Sequence, residues 1–362
     1  MPDVSRPGMI RSYGETDFIT GIRAIAATMV VVIHTGAFSG WGSVGDAITS
    51  AGKYGVDVFF VVSGFTIAKT IADAQDYRSY LMRRLFRIVP LYWATITFAF
   101  LLASFGLVVS TWMTEFAVAP DLRNLLMHFA FVSFLDYRVA NSLIGVEWTI
   151  PVEVFWYIFL PFLLPFAQGI WRLILMCLGL LLVAVVIGLI AKQVLGTTLP
   201  VRWSPIAYAH YFLIGSFAYS MRWRLQASDG RSPALACWLA VFIAILCLVL
   251  NFPGRGELLS LMVAVLLASL TPSGAKGINS ILTWRPLLFV GSISYSVYLL
   301  HMISIALLRG VGIEPKIGLV NFLVVYILTL VLSALTYRLI ERPSNEFGRR
   351  YVQGLEPQNR AS

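Results

Sequence analysis

Ten nearly unbroken apolar stretches, most of them close to twenty residues long, leave few folds open to this chain. They run at about 18–38, 54–72, 88–109, 145–167, 171–195, 205–221, 234–252, 257–271, 286–308 and 318–340. An α-helix of about twenty residues rises far enough to cross the ~30 Å hydrocarbon layer of a bilayer. Strands of a membrane barrel would instead alternate apolar and polar residues over segments of about ten. Only 12% of the 362 residues are charged, about half the share usual in a soluble domain. The prediction is an all-α, polytopic membrane helical bundle of about ten transmembrane helices. The segment Arg123–Tyr137 is too short to cross and predicts a short re-entrant or interfacial helix instead. A cytoplasmic N-terminal tail (1–17), a transmembrane domain (18–340) and a cytoplasmic C-terminal tail (341–362) follow from these boundaries.

The net charge of +9 would point to nucleic acid in a soluble protein; in a polytopic one it predicts anchoring instead. With the N-terminus in the cytoplasm and ten crossings, eighteen of the 27 Lys and Arg fall on the N-terminal side. Eight fall opposite and Arg23 lies within a span. That bias predicts both termini in the cytoplasm of a multi-pass protein surrounded by membrane lipid. Cys177, Cys237 and Cys247 all lie inside apolar runs and fit packing, not a disulfide framework. No H-E-x-x-H, Walker loop, dinucleotide fingerprint or Cys/His cluster is present, so no metal site is expected.

Ionisable residues inside spans are costly and mark pathways or reacting groups. In "FITGIRAIAATMVVVIHTGAFSG" (Phe18–Gly40) Arg23 and His34 are eleven residues apart. On a helix that places them on one stripe, about 16 Å apart in rise. Asp57, Glu147 and Glu153 enter the second and fourth spans from the His34 side, and His301 lies in the ninth. Carboxylates beside an imidazole fix its tautomer and support general-base chemistry; the alternative is a neutral group bonding a neighbouring helix. Arg83, Arg84 and Arg87 crowd the opposite entrance of the third span. They are either a positive-inside anchor or, since Arg pairs bidentately with phosphate, a hold on a phosphorylated donor. Ser63-Gly64 is not a nucleophile elbow, because Val61 stands where glycine is needed; small residues there fit close helix approach.

Four stretches carry a resemblance that covers residues 18 to 343. They are "GIRAIAATMVVVIH" with its Arg-x10-His spacing, "GVDVFFVVSGF", "RRLFRIVPLYW" and "EWTIPVEVFWYIFLP". "YFLIG", "SISYSVYLLH" and "YRLIERP" add weaker agreement. In these the chain resembles integral-membrane acyltransferase family 3, the bacterial O-acetyltransferases that modify lipopolysaccharide, exopolysaccharide and related glycans, in its short stand-alone form. The resemblance implies residence in the bacterial inner membrane, ten transmembrane helices and an essential Arg23 and His34. It also implies a cytoplasmic acyl-CoA, such as acetyl-CoA, as donor substrate with no permanently bound cofactor. The acceptor would be a hydroxyl of a glycan or lipid-linked saccharide at or beyond the outer face.

The mechanism expected on that resemblance docks the nucleotide end of coenzyme A on Arg83, Arg84 and Arg87, with Arg23 guiding the donor inward. His34, oriented by Glu153 or Asp57, takes the proton of the acceptor hydroxyl, or is acylated first and passes the group on. Ser63, Glu147, Tyr298 and His301 are candidates for substrate or oxyanion contacts. The competing class is a transporter or flippase for a lipid-linked or anionic solute, in which the same Arg, His and Glu form a relay; no inverted repeat is evident for it. Packing of the aromatic-rich spans also allows a homodimer.

Overall fold

The computed structural model describes residues 16–74, 76–226, 231–271 and 275–355. Among these the regular structure is entirely helical, and each of the ten apolar runs carries a helix. In chain order the first are α1 (Asp17–Thr35), α2 (Gly42–Ala51), α3 (Gly55–Asp73), α4 (Tyr77–Ser104) and the short α5 (Thr111–Glu115) and α6 (Leu122–Phe129). Next come α7 (Thr149–Leu163), α8 (Ile170–Leu195), α9 (Leu199–Arg202), α10 (Ala209–Gln226) and α11 (Arg231–Val249). After them stand α12 (Arg255–Ser269), α13 (Lys276–Leu282), α14 (Arg285–Ser292), α15 (Ser294–Gly310), α16 (Gly318–Thr336) and α17 (Arg342–Leu355).

Five helical stretches among the described residues are long and apolar enough to cross a membrane: Asp17–Thr35, Gly42–Asp73, Tyr77–Ser104, Ile170–Leu195 and Gly318–Gly354. The pair α14 and α15, bent by 73° at its break, is either a sixth, broken span or a re-entrant loop. Two of the remaining runs, 145–167 and 257–271, carry helices of only fifteen residues, α7 and α12, so five or six candidate spans stand where about ten were expected. One cause is visible at Glu147. The apolar run begins at 145, yet α7 starts only at Thr149. The Glu147 carboxylate accepts the backbone N–H groups of Leu143 (2.7 Å), Gly145 (2.6 Å) and Val146 (3.0 Å) and holds that segment as a tight loop. The stretch expected to be too short to cross is indeed short, an eight-residue α6 followed by a turn of 3-10 helix at Ser133–Leu135.

The core forms where backbones come close. A Cβ on Gly64 of α3 would lie 2.0 Å from the Phe212 carbonyl oxygen of α10, and one on Gly215 of α10 1.9 Å from that of Val61. Only glycine permits this approach, the small-residue device of membrane helix pairs. With Gly64 turned to α10, Ser63, about 100° away around the helix, faces the interior. By contrast α8 buries only Leu173, Ala184 and Ala191 and exposes a belt of leucine, isoleucine and valine along its length, as a lipid-facing helix does.

At the C-terminal end, the segment expected as a tail from 341 is helical to Leu355. A π-helical turn at Tyr337–Glu341 links α16 to α17. α17 is docked on α4: Ser344 Oγ donates to the Phe86 carbonyl at 2.6 Å, Phe86 packs edge-on to Phe347, and Val352 is fully buried. Residues 1–15, most of the expected N-terminal tail, and 356–362 lie outside the described residues.

Candidate active site

α1 is unbroken from Asp17 to Thr35, so Arg23 and His34 share one continuous helix, as the spacing predicts. Arg23 lines a polar cavity of about 220 Å³ between α1, α3, α4, α7 and α15, which also exposes Ser63, Arg84, Arg87, Glu153 and Tyr298. Glu153 is its organising acid. Its Oε1 accepts the Ser63 hydroxyl at 2.5 Å and the Tyr157 hydroxyl at 2.6 Å. Tyr157, one helical turn after Glu153, was not singled out from sequence, although the i,i+4 spacing was there to be seen. The guanidinium of Arg23 has Arg87, Glu341 and Glu153 as charged neighbours. Among the described residues no hydrogen bond or ion pair holds either Arg23 or Arg87, so both offer their donors to whatever fills the cavity.

Arg84 differs. It is buried, donates to the Thr66 carbonyl and the Thr70 hydroxyl of α3, and lies over the Tyr157 ring at 5.4 Å. Those bonds tie α4 to α3. Arg83 faces a second opening, beside α17, and not the polar cavity.

His34 sits in the last turn of α1, just before Gly36 closes the helix in the left-handed conformation (φ 64°). It is exposed, and it does not line the cavity that holds Arg23. Val56, which lines that cavity, follows Gly55, which abuts the Ala26 carbonyl and the Val30 side chain. From Val30 to His34 remains one helical turn, about 6 Å of rise. The partner of His34 is an imidazole and not a carboxylate. Ala27 and Val31 of α1 cluster with Ile293 and Val297 of α15, and one turn further on His301, fully buried, meets His34.

The bonding around this pair fixes both tautomers. His301 Nδ1 lies 2.7 Å from the Tyr298 carbonyl oxygen, which can only accept, so Nδ1 carries the proton and Nε2 the lone pair. His34 Nδ1 lies 3.1 Å from that Nε2 and 2.9 Å from the Val30 carbonyl oxygen. Both neighbours accept, so His34 Nδ1 is the protonated nitrogen. His34 Nε2 is left with its lone pair and, among the described residues, no protein partner. An exposed, unprotonated imidazole nitrogen held in one orientation is the form a general base requires.

The remaining candidates are placed elsewhere. Asp57 looks to Tyr211 of α10, with Lys53 and Glu257 nearby, and makes no contact with His34. Glu147 is fully buried in its backbone loop, 3.6 Å from His128, and does not reach the cavity. Tyr298 lines the cavity, but its hydroxyl donates to the Val146 carbonyl (2.7 Å) and accepts from Thr149 (2.9 Å). Its carbonyl orients His301. Neither Glu153 nor Asp57 therefore orients the imidazole in this structure; the orienting chain is Tyr298 to His301 to His34.

Comparison with known proteins identifies the family. A family model described as "Acyltransferase domain" matches residues 16–338. The chain is 26% identical to the "Putative peptidoglycan O-acetyltransferase YrhL" of Bacillus subtilis, over 92% of this chain and 55% of that protein. It is 25% identical to the peptidoglycan O-acetyltransferase OatA of Listeria monocytogenes, over 94% of this chain and 58% of that protein. The chain thus spans a little over half the length of the curated relatives it matches. No solved structure matches it.

Proposed function

Because the chain belongs to the acyltransferase-domain family, we propose that it is a membrane O-acyltransferase moving an acyl group from acyl-CoA to a hydroxyl of a cell-surface glycan or lipid-linked saccharide. Acetyl is the group named for its relatives and peptidoglycan the acceptor named for two of them, so both are the first to test. The observation that carries the reading is the division of labour along α1: at Arg23 a guanidinium in a polar cavity with no hydrogen-bond or ion-pair partner among the described residues, and at His34 an oriented imidazole lone pair. In this reading the chain crosses the bacterial inner membrane ten times, the shorter helices included. The Arg23 end faces the cytosol, where the excess of Lys and Arg lies.

The donor enters from the Arg23 end. Arg87 and Arg23 hold its anionic part, and its flexible arm extends along the cavity past Ser63 and Glu153 toward Tyr298. To reach His34 the thioester passes the edge-to-face pair of Phe59 and Tyr298, whose rings are 5.9 Å apart. His34 Nε2 then takes the proton of the acceptor hydroxyl as its oxygen attacks the thioester carbonyl carbon. The C–S bond breaks, the thiolate leaves, and the proton passes from the imidazolium to the sulfur. Placing the base at the exposed end of α1 lets the acceptor remain outside the bundle.

The test is acetyl transfer by the purified full-length protein in lipid nanodiscs, with radiolabelled acetyl-CoA and soluble glycan fragments. Transfer is expected, and it should vanish in His34→Ala and in Arg23→Ala. Uptake of solute into liposomes without any acyl transfer would replace this reading with a transporter.

A further inference from the structure

Beside the polar cavity opens a second one, of about 490 Å³, walled by α3 and α4 on one side and by α17 on the other. It shares Thr66, Lys69, Arg84 and Arg87 with the first cavity, so the two meet. Its charge is one-sided: Lys69, Arg83, Arg84, Arg87, Arg342 and Arg349 line it, with no carboxylate among the described residues that line it. Lys69 and Arg342 do have acidic partners outside the lining, Asp73 at 3.1 Å and Glu346 at 2.9 Å. Bringing six cations to one opening raises their mutual repulsion, and a multivalent anion relieves it. Guanidinium forks also match phosphate oxygens bidentately. A volume near 500 Å³ is that of a small-molecule site, with room for more than one phosphate.

We propose that α17 forms half of a polyphosphate-binding site, with Arg342, Asn345 and Arg349 facing Arg83 and Arg87 across it. All three α17 residues lie beyond residue 338, where the family match ends. The identification of that polyphosphate as the nucleotide end of the acyl donor rests on the function proposed above; the site itself does not. The residues that dock α17 are Ser344, Phe347, Gly348 and Val352, and Gly348 lies so close to the Phe86 side chain that a Cβ there would sit 2.6 Å from it. None of these is one of the proposed ligands, so the charges can be removed without loosening the helix.

The test measures binding of coenzyme A, pyrophosphate and acetyl-pantetheine, which has no nucleotide, to the full chain in phosphatidylcholine nanodiscs. The double variant Arg342→Gln/Arg349→Gln should bind coenzyme A and pyrophosphate about 10- to 100-fold more weakly, the size expected for lost charge-assisted bonds. Its affinity for acetyl-pantetheine and its melting temperature should not change. Asn345→Asp, which adds a negative charge without removing bulk, should weaken both phosphate ligands as well, and Arg350→Gln, on α17 but off the cavity, neither. Wild-type affinity for both phosphate ligands in the double variant would overturn the site while leaving the acyltransferase reading intact. Pyrophosphate binding that depends on Arg349 without any binding of coenzyme A would uphold the site and overturn the donor. A difference between wild type and variant that appears only in nanodiscs containing phosphatidylglycerol would assign the cavity to a lipid headgroup and overturn the soluble ligand.

Discussion

His301 Nε2 lies 3.1 Å from His34 Nδ1, a contact between residues 267 positions apart in the chain. Since His301 donates its Nδ1–H to the Tyr298 carbonyl, its Nε2 can only accept from His34. His301 is thus a positioning residue for the imidazole that faces the acceptor. His301→Ala should lower kcat about 10²-fold, within the range for a misoriented or wrongly tautomerised base, and leave the KM for acetyl-CoA unchanged. His301→Gln, whose amide oxygen also accepts, should recover most of the loss. Equal loss in both variants, or loss confined to KM, would remove His301 from this role.

Glu153 offers a second test, because its oxygen holds two hydroxyls at once. Glu153→Gln keeps an acceptor for Ser63 and Tyr157 and removes a negative charge near Arg23; thermal stability in detergent should be close to wild type. Glu153→Leu strands both hydroxyls and should destabilise by about 1–3 kcal/mol, the cost of a buried polar group left unpaired. If the two variants melt alike, the hydroxyl pair does not depend on this carboxylate.

What the sequence revealed follows the distance over which each feature is encoded. The helix α1 and its stripe of Arg23 and His34 are local, set by the 3.6-residue period, and were legible. So was the shortness of Arg123–Tyr137. The partner of His34 was not, because it comes from α15 through packing of Val31 on Val297, which no local pattern records. Charge misled for a related reason. Arg255, which lies between two apolar runs, is 2% exposed and donates to the Leu250 carbonyl and the Ser50 hydroxyl. Arg222 is buried too and donates to the Leu267 and Leu270 carbonyls. Arg342 and Arg349, counted as anchors in a tail, stand in the wall of a cavity. A count of charges by loop cannot distinguish an anchor from a strut or a ligand.

Close backbone approach between α3 and α10 predicts a sharp asymmetry among glycines. Gly215→Ala would place a methyl 1.9 Å from the Val61 carbonyl oxygen. The helices must part, at a cost of about 1–3 kcal/mol for overpacking. Gly179, on α8, has nothing within 4 Å of its added Cβ, and Gly179→Ala should be neutral or stabilising, since alanine is the better helix former. Melting of the two variants in one detergent decides it; similar losses would mean that α3 and α10 are not in backbone contact.

Arg84 and Arg87 look equivalent in "RRLFRIVPLYW", yet the structure gives them different work. Arg84 spends its donors on Thr66 and Thr70 and stacks on Tyr157, so it joins two helices. Arg87 faces both cavities with no protein partner among the described residues, so its donors remain for a ligand. Arg84→Ala should therefore lower stability first, by about 1.5–3 kcal/mol through the charge-assisted bonds between α4 and α3 that it removes, and lower activity only as folded protein is lost. Arg87→Ala should keep the melting temperature and raise the KM for acetyl-CoA about 10- to 100-fold, one charge-assisted bond being worth roughly 1.5–3 kcal/mol. Lysine at each position sharpens the contrast. It preserves charge but not the planar fork, so Arg87→Lys should recover part of the affinity while Arg84→Lys, unable to bridge Thr66 and Thr70 and stack on Tyr157 together, should melt nearly as early as the alanine variant. Reversal of the pattern, with Arg84 governing KM and Arg87 governing melting, would mean that the donor's anionic end lies against α3 and not in the opening that Arg87 faces.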